Sequence, residues 1–238
     1  MVLLIAGLLL ISLMYTLTAA SEQRARDDTN RRLTEARDLL LAFAVVKGRL
    51  PCPASFGGNG DESPAGGGAC TDYYTGFLPG RALGMTGLDA SGYALDAWNN
   101  RIRYAVSNNP AGNFTSAAAL KAAGTVTVPG DLVVCGSAAG IVTGPPASCG
   151  AAASISNQNI VVAVLWSMGK NGGPSAYSGA DEAANNKNRL PAVTNNHGVF
   201  VWHDARPAGG AGGEYDDLMV WIPVGQLYGR MIAAGVLP

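Results

Sequence analysis

VLLIAGLLLISLMYTLTAASEQRARDDTNRRLTEARDLLLAFAVVK, at residues 2–47, sets the architecture of the whole 238-residue chain. Its first part, residues 2–20, holds nothing more polar than Ser12, Thr16, Thr18 and the Tyr15 hydroxyl. As a helix that part reaches about 28 Å, close to the hydrocarbon thickness of a bilayer. The second part keeps a helical rhythm, with Leu33, Ala36, Leu40, Phe43 and Ala44 at spacings of three and four. A stripe of that kind packs against a domain. Opposite charges fall four apart at Glu22/Arg26, Asp27/Arg31, Asp28/Arg32 and Arg31/Glu35, which supports an exposed helix. No proline occurs before Pro51, and Gly48 supplies a stop. The expectation is one continuous helix over residues 2–47, roughly 70 Å long. Too few heptads follow one another for a coiled coil.

Charge is segregated along the chain in the same way. Residues 1–21 carry no charged side chain, residues 22–38 carry ten, five of each sign, and the remaining 200 share 23. The total, 16 Lys+Arg against 17 Asp+Glu, excludes the basic footprint of a nucleic-acid binder. Three zones follow: 1–21 as a membrane or filament-core segment, 22–48 as the amphipathic half of the same helix, and 49–238 as a globular domain. A cleavable secretory signal is the alternative for the first zone, with Thr18, Ala19 and Ala20 as small residues near a cut. Against it, no Lys or Arg precedes the apolar run. Arg24, Arg26, Arg31 and Arg32 follow it, which taken alone favours retention of the C-terminal side inside.

Cys52, Cys70, Cys135 and Cys149 form no C-x-x-C pair, so zinc and thioredoxin chemistry are disfavoured. An even number beside a membrane-targeted segment indicates disulfides and an oxidising compartment. Of the three connectivities that four cysteines allow, the sequential one, Cys52–Cys70 and Cys135–Cys149, closes two loops rich in Gly, Pro and Ser. Between them lies short-strand material. Residues 101–106 alternate polar and apolar as a half-exposed strand does. Residues 125–128 and 132–134 flank a turn at 129–131 and read as a hairpin. Residues 159–166 form a buried strand, residues 198–203 and 218–223 a late antiparallel pair, and residues 117–122 a short helix. Trp98, Tyr104, Trp166, Trp202 and Trp221 stand in or beside these runs and read as core. The fold class expected is α+β: a long helix packed on a small antiparallel sheet with long loops and two disulfides.

Three local motifs now carry a resemblance. DAWNNRIRY at 96–104 resembles a D-P-W-G-x-x-x-x-Y stretch. WSMGKNGG at 166–173, followed by GADE at 179–182, resembles an S-x-G-x-D-G loop and a later D-A-D segment. AFAVVKGRLPCP at 42–53 is similar to a helix-to-loop junction ending in G-x-[LY]-P. Together with the half-membrane, half-amphipathic helix, they resemble the type IV pilin and type II secretion pseudopilin family. By motif the nearest group is the major pseudopilins, although the larger domain leans toward a minor subunit. The family begins with a basic leader and has a glutamate at mature position five. Ile5 stands there if Met1 is the mature start, so the expectation is a start upstream of Met1, or a tip-type subunit without the glutamate.

The resemblance implies a structural subunit of a type IV pilus-like or pseudopilus filament. Its partners are copies of itself, other pilin-like subunits, inner-membrane lipid and an assembly platform, with no nucleic acid. The location implied is the bacterial inner membrane, single-pass with a periplasmic domain, then a periplasmic or extracellular filament. Ile5, Leu9, Leu13, Arg24, Arg26, Arg31, Arg32 and Glu35 form the assembly helix. The resemblance also implies calcium, a hard cation wanting six to eight oxygens, in the loop 167–185. Its ligands there are Asn171, Asp181 and Glu182, with Asn185 and Asn186 as further donors.

Catalysis is not expected. There is no G-x-S-x-G or H-E-x-x-H pattern, and the glycine-rich loops at 57–68 and 207–213 match no phosphate-binding motif. His203 and Asp204 point to opposite faces if they lie in a strand, and His197 sits in an Asn-rich loop. Asp216 and Asp217 read as the start of the last strand, one tied into the domain and one in solvent. Asn113, Phe114 and Thr115 match a glycosylation sequon. Two other readings remain: a membrane-anchored periplasmic binding module that never polymerises, and a secreted domain cleaved near Ala20.

Overall fold

Without a proline to interrupt it, the N-terminal sequence forms a single α-helix in the computed structural model, α1 (Val2–Lys47). Gly48 ends it at φ +71°, its N–H bonded to the Ala44 carbonyl at 2.8 Å. The structure describes residues 2–108, 113–124, 128–157, 159–172, 179–187, 196–210 and 212–237, with side chains at Met14 and from Leu17 onward. After α1 come β1 (Arg103–Val106), a 3-10 turn (Asn113–Thr115), α2 (Ala117–Ala123), β2 (Val133–Cys135), β3 (Val161–Ser167), α3 (Ala180–Asn185), β4 (Val199–Val201), β5 (Leu218–Pro223) and α4 (Val224–Ala233). The fold is α+β, with a long N-terminal helix, a small antiparallel sheet and two disulfides.

The antiparallel sheet has the order β1-β3-β5, and the α1 stripe lies on one of its faces. Leu33, Ala36, Leu40 and Ala44 are fully buried there with Ala163, Leu165 and Ile222. The amphipathic α4 covers the rest of that face through Leu227, Tyr228 and Met231. The opposite face carries a second apolar cluster, where Val164, Trp166 and Ala105 meet Leu132, Val134 and Phe200. Hence β3 is buried along its whole length, as its unbroken apolar run predicts. The register shifts between Val161 and Ala163, which leaves both Val162 and Ala163 on the helix side.

Two strand expectations are corrected. β1 is not half exposed: all four residues are buried, because both faces of the sheet are covered. Its polar Arg103 lies 4.3 Å above the Phe77 ring and donates to the Thr75 carbonyl. Residues 125–127 of the expected hairpin lie outside the described residues, and β2 itself pairs in parallel with β4. The late pair is also split: β5 joins β3 antiparallel, while β4 belongs to the other sheet. The helix expected at 117–122 is α2, capped by Ser116, whose Oγ accepts the Ala119 N–H at 3.3 Å.

The disulfides pair as the sequence suggests, Cys52–Cys70 and Cys135–Cys149. In the chain-entropy picture each stabilises by about 3 kcal/mol. Residues 48–102 are otherwise loops with isolated bridges such as Ala54 with Phe77.

Candidate functional site

Two surfaces concern function: the helix that protrudes from the domain, and a group of buried acids where α3 meets the entry to β5.

On α1, Met14 and Leu17 stand 69% and 62% exposed. Ile5, Leu9 and Leu13 have helical backbone, but their side chains lie outside the described ones. Among the described residues no helix is long and apolar enough to cross a membrane; residues 2–13 of the apolar run contribute no described side chain. Of the four-apart pairs expected in the charged belt, Asp28/Arg32 forms, and the other contacts differ. Asp28 bridges Arg31 and Arg32, the latter at 2.7 Å. Gln23 donates to Asp27 at 2.9 Å, and Glu22 reaches Lys170 on the domain. Arg32 also donates to the carbonyls of Leu95 and Asp96 at 2.9 and 3.0 Å, so it hooks the helix to its own domain. Thr29, buried beside it, accepts the Ala97 N–H at 3.1 Å. Arg24, Arg31 and Glu35 face outward, and Arg26 lies part-buried facing the acid cluster.

The DAWNN segment explains this docking point. Asp96 is buried, and its Oδ1 accepts the N–H groups of Trp98 and Asn100 at 2.9 and 2.8 Å. Its Oδ2 accepts from Ser167 Oγ at 2.6 Å. Burial pushes its carboxyl above the usual range, against those three hydrogen bonds. Asn100 then donates to the Gly169 carbonyl at 2.8 Å, so the turn below α1 also positions the loop after β3.

That loop leads to the acids. The three residues expected to hold calcium do not converge. Asn171 Nδ2 meets both Glu182 oxygens at 3.1 Å. Asp181 turns the other way, accepting the Ala138 N–H at 2.7 Å, Arg206 at 3.0 Å and His203 at 3.2 Å. Burial opposes ionisation of Asp181, but those donors outweigh it and hold its carboxyl below the usual range. Asn185 is committed as well: its Nδ2 donates to Val201 O and Asp217 Oδ2, both at 2.7 Å, and its Oδ1 accepts the Val201 N–H.

In Asp181's place Glu182 gains Asp216 and Asp217, with one oxygen from each of the three within 4.8 Å of the others. All three are buried, so neither aspartate is in solvent as the sequence suggests. Asp216 Oδ2 accepts the N–H groups of Lys170 and Asn171 at 2.8 and 3.4 Å, and the Asp216 N–H donates to Glu182 at 3.0 Å. A Cβ on Gly169, which has φ +62°, would collide with the Asp216 carboxylate, so only glycine allows this approach. Burial pushes all three carboxyls upward, Asp217 well upward.

Sequence reasoning missed a second buried charge. Lys187 is fully buried, 4.5 Å above the Phe200 ring, and donates to the carbonyls of His197 and Val199 at 3.0 Å. Burial drives its ammonium well below the usual range. Burial, with Lys187 beside it, lowers His197 to about 4. A cleft of about 630 Å³ opens next to His197, between Tyr74, Asp131 and the Pro145–Pro146 turn. The sequon's Thr115 is buried, its hydroxyl donating to the Gly68 carbonyl at 2.6 Å. All four cysteines are in disulfides, which removes a thiol nucleophile. No protein-family model, curated protein or solved structure matches the chain.

Proposed function

We propose that this chain is a non-enzymatic structural subunit of a filament of the type IV pilus or type II secretion pseudopilus kind, held in the inner membrane before assembly. The observation that supports the reading is the division of α1. Its stripe within residues 33–44 is buried against the sheet, while Met14 and Leu17 on the same helix stand exposed. An apolar segment projecting from a folded domain needs lipid or like helices around it, since water penalises its exposure. In this proposal residues 1–21 exchange lipid for the same segments of neighbouring copies. A head-to-tail contact that does not close generates a helical filament. The two disulfides suit a domain in the periplasm.

The outward charges then set the axial register between subunits, where charge pairing governs specificity more than affinity. Because Arg32 serves its own domain, that role falls to Arg24 and Arg31. The test is the double variant Arg24→Glu with Arg31→Glu, made in the full chain and expressed with its assembly machinery. Filaments sheared from wild-type cells should contain the chain, and those from the variant should lack it, with the melting temperature unchanged. If the wild-type chain stays wholly in the membrane fraction, it is an anchored binding module. A mature N-terminus near Ser21 would make it a secreted domain.

A further inference from the structure

We infer that the cleft between the entries to β2, β3 and β4 and the hairpin tip at residues 143–147 binds an uncharged saccharide. The cleft measures about 630 Å³, within the size range of small-molecule sites. Its walls come from distant parts of the chain: Asp131 and Leu132 lead into β2, Asn159 into β3, and His197 and Gly198 into β4. The remaining wall, Thr143 and residues 145–147, is the tip of a hairpin. Val142 and Ser148 close that hairpin by exchanging two N–H···O bonds of 2.9 Å, and the Cys135–Cys149 disulfide ties it to β2. A lip held in this way is ordered before a ligand arrives, so binding costs less conformational entropy.

The lining selects the ligand. The side-chain amides of Asn108, Asn159 and Asn196 and the Thr143 hydroxyl line the cleft and make no hydrogen bond with the described chain. The amides of Asn100, Asn171 and Asn185, by contrast, are spent inside the domain. An uncommitted amide offers donors and an acceptor side by side, which suits neighbouring hydroxyls on a sugar ring. His197 adds a donor. Its Nδ1 accepts the Val199 N–H at 3.2 Å, which puts the ring proton on Nε2. Burial, with Lys187 beside it, lowers the ring to about 4, so that donor is uncharged at neutral pH. Asp131 is the one acid in the described lining. Its carboxylate accepts hydrogen bonds from the Tyr74 hydroxyl at 2.5 Å and the Asn108 N–H at 3.2 Å. Pro145, Pro146 and Leu132 supply apolar surface for the C–H face of a ring.

Other ligand classes match this lining less well. No Lys or Arg stands in the described lining, so a phosphate, sulfate or carboxylate would meet Asp131 as its only charge and be repelled. A cationic ligand would want several acids or an aromatic cage, and the described lining has one acid and, of Phe, Tyr and Trp, only Tyr74. A lipid chain would bury the amides without partners, which is costly. An uncharged polyhydroxylated ring answers every group. The inference goes beyond the filament proposal and does not depend on it, since a single chain carries the whole cleft.

The test uses the full chain, fluorescently labelled and held in a detergent without a sugar headgroup. On an array of immobilised oligosaccharides it should bind neutral ones and pass over sialylated and sulfated ones. Titration calorimetry with the best-bound neutral oligosaccharide then compares variants. Asn159 has φ +69°, which glycine adopts freely, so Asn159→Gly removes the amide and leaves the backbone as it is. It should weaken binding about fivefold, as the loss of one hydrogen bond does, and so should Asn196→Ala, both melting as the wild type does. Asn30→Ala, on α1 and outside the cleft, should leave binding unchanged. If the natively melting wild type binds no neutral oligosaccharide, the inference is overturned. Stronger binding of sialylated or sulfated forms would overturn the uncharged ligand, and full affinity in both cleft variants would overturn the location. Failure of filament assembly leaves all these readouts untouched, because they are taken on the isolated chain.

Discussion

Arg49 and Glu62 form a two-pronged ion pair, both bonds 2.7 Å, with side chains only 8% and 10% exposed. Glu62 also accepts the N–H groups of Cys52 and Gly66. Burial opposes its ionisation, but Arg49 and those N–H groups outweigh it and hold the carboxyl below its ordinary value. A lowered folded value means that the pair's stabilisation is complete above the unfolded pKa of about 4.3 and fades as pH falls through the folded one. Glu62→Gln, which strands the Arg49 charge, should cost about 3 kcal/mol at pH 7, read by denaturant unfolding. The gap between wild type and variant should narrow as pH falls below about 4; a gap that stays constant into acid would contradict this account. Such pairs are hard to read from sequence, because Glu62 sits in a glycine-rich loop where any acid passes for solvated. The cysteines were legible for the opposite reason: each pair closes a loop short enough for the sequential pairing to stand out. Adjacency misled at Asp181 and Glu182, where sharing a helical turn sends the two carboxylates to different partners, and Asp216 joins Glu182 only through folding.

At the scale of elements, α1 was fully legible, since a stripe at three and four spacing needs only one partner face. The strands were recognisable as segments but not as neighbours. β2 and β4 pair in parallel, and parallel partners share no turn that would betray them. α4 escaped sequence reading because Gly225 and Gly229 dilute its pattern and it follows β5 without a loop. The contact between α1 and the sheet is the strongest element-level claim. Leu40→Ala, fully buried between α1 and β3, should cost about 3 kcal/mol. Arg32→Ala should destabilise the chain by about 1 kcal/mol through the lost carbonyl contacts, while Arg31→Ala at the exposed rim should leave stability essentially unchanged. Thermal melts of the three variants side by side check the ranking; equal effects at Arg31 and Arg32 would remove Arg32's docking role.

For the molecule as a whole, the C-terminal α4 and the buried Leu237 pack in the same cluster as the 33–44 stripe of α1. The first disulfide, with a sequence separation of 18, closes the loop directly after the helix. The double variant Cys52→Ser with Cys70→Ser should lose about 3 kcal/mol of stability, measured by urea unfolding under oxidising conditions. A loss well below 1 kcal/mol would mean that the loop is held by its other contacts. This position has a mechanical meaning. A tensile load entering through α1 first meets side chains wedged across β3 and β5, which must slide rather than peel. If that interface slips, the backbone between Lys47 and Cys52 can span at most about 17 Å before it is taut. From there the force crosses at the sulfur bridge from Cys52 to Cys70, and the residues between them stay out of the line of tension. Under reduction the same pull would unravel that loop first, so the chain's tensile strength depends on the oxidation state of one bond.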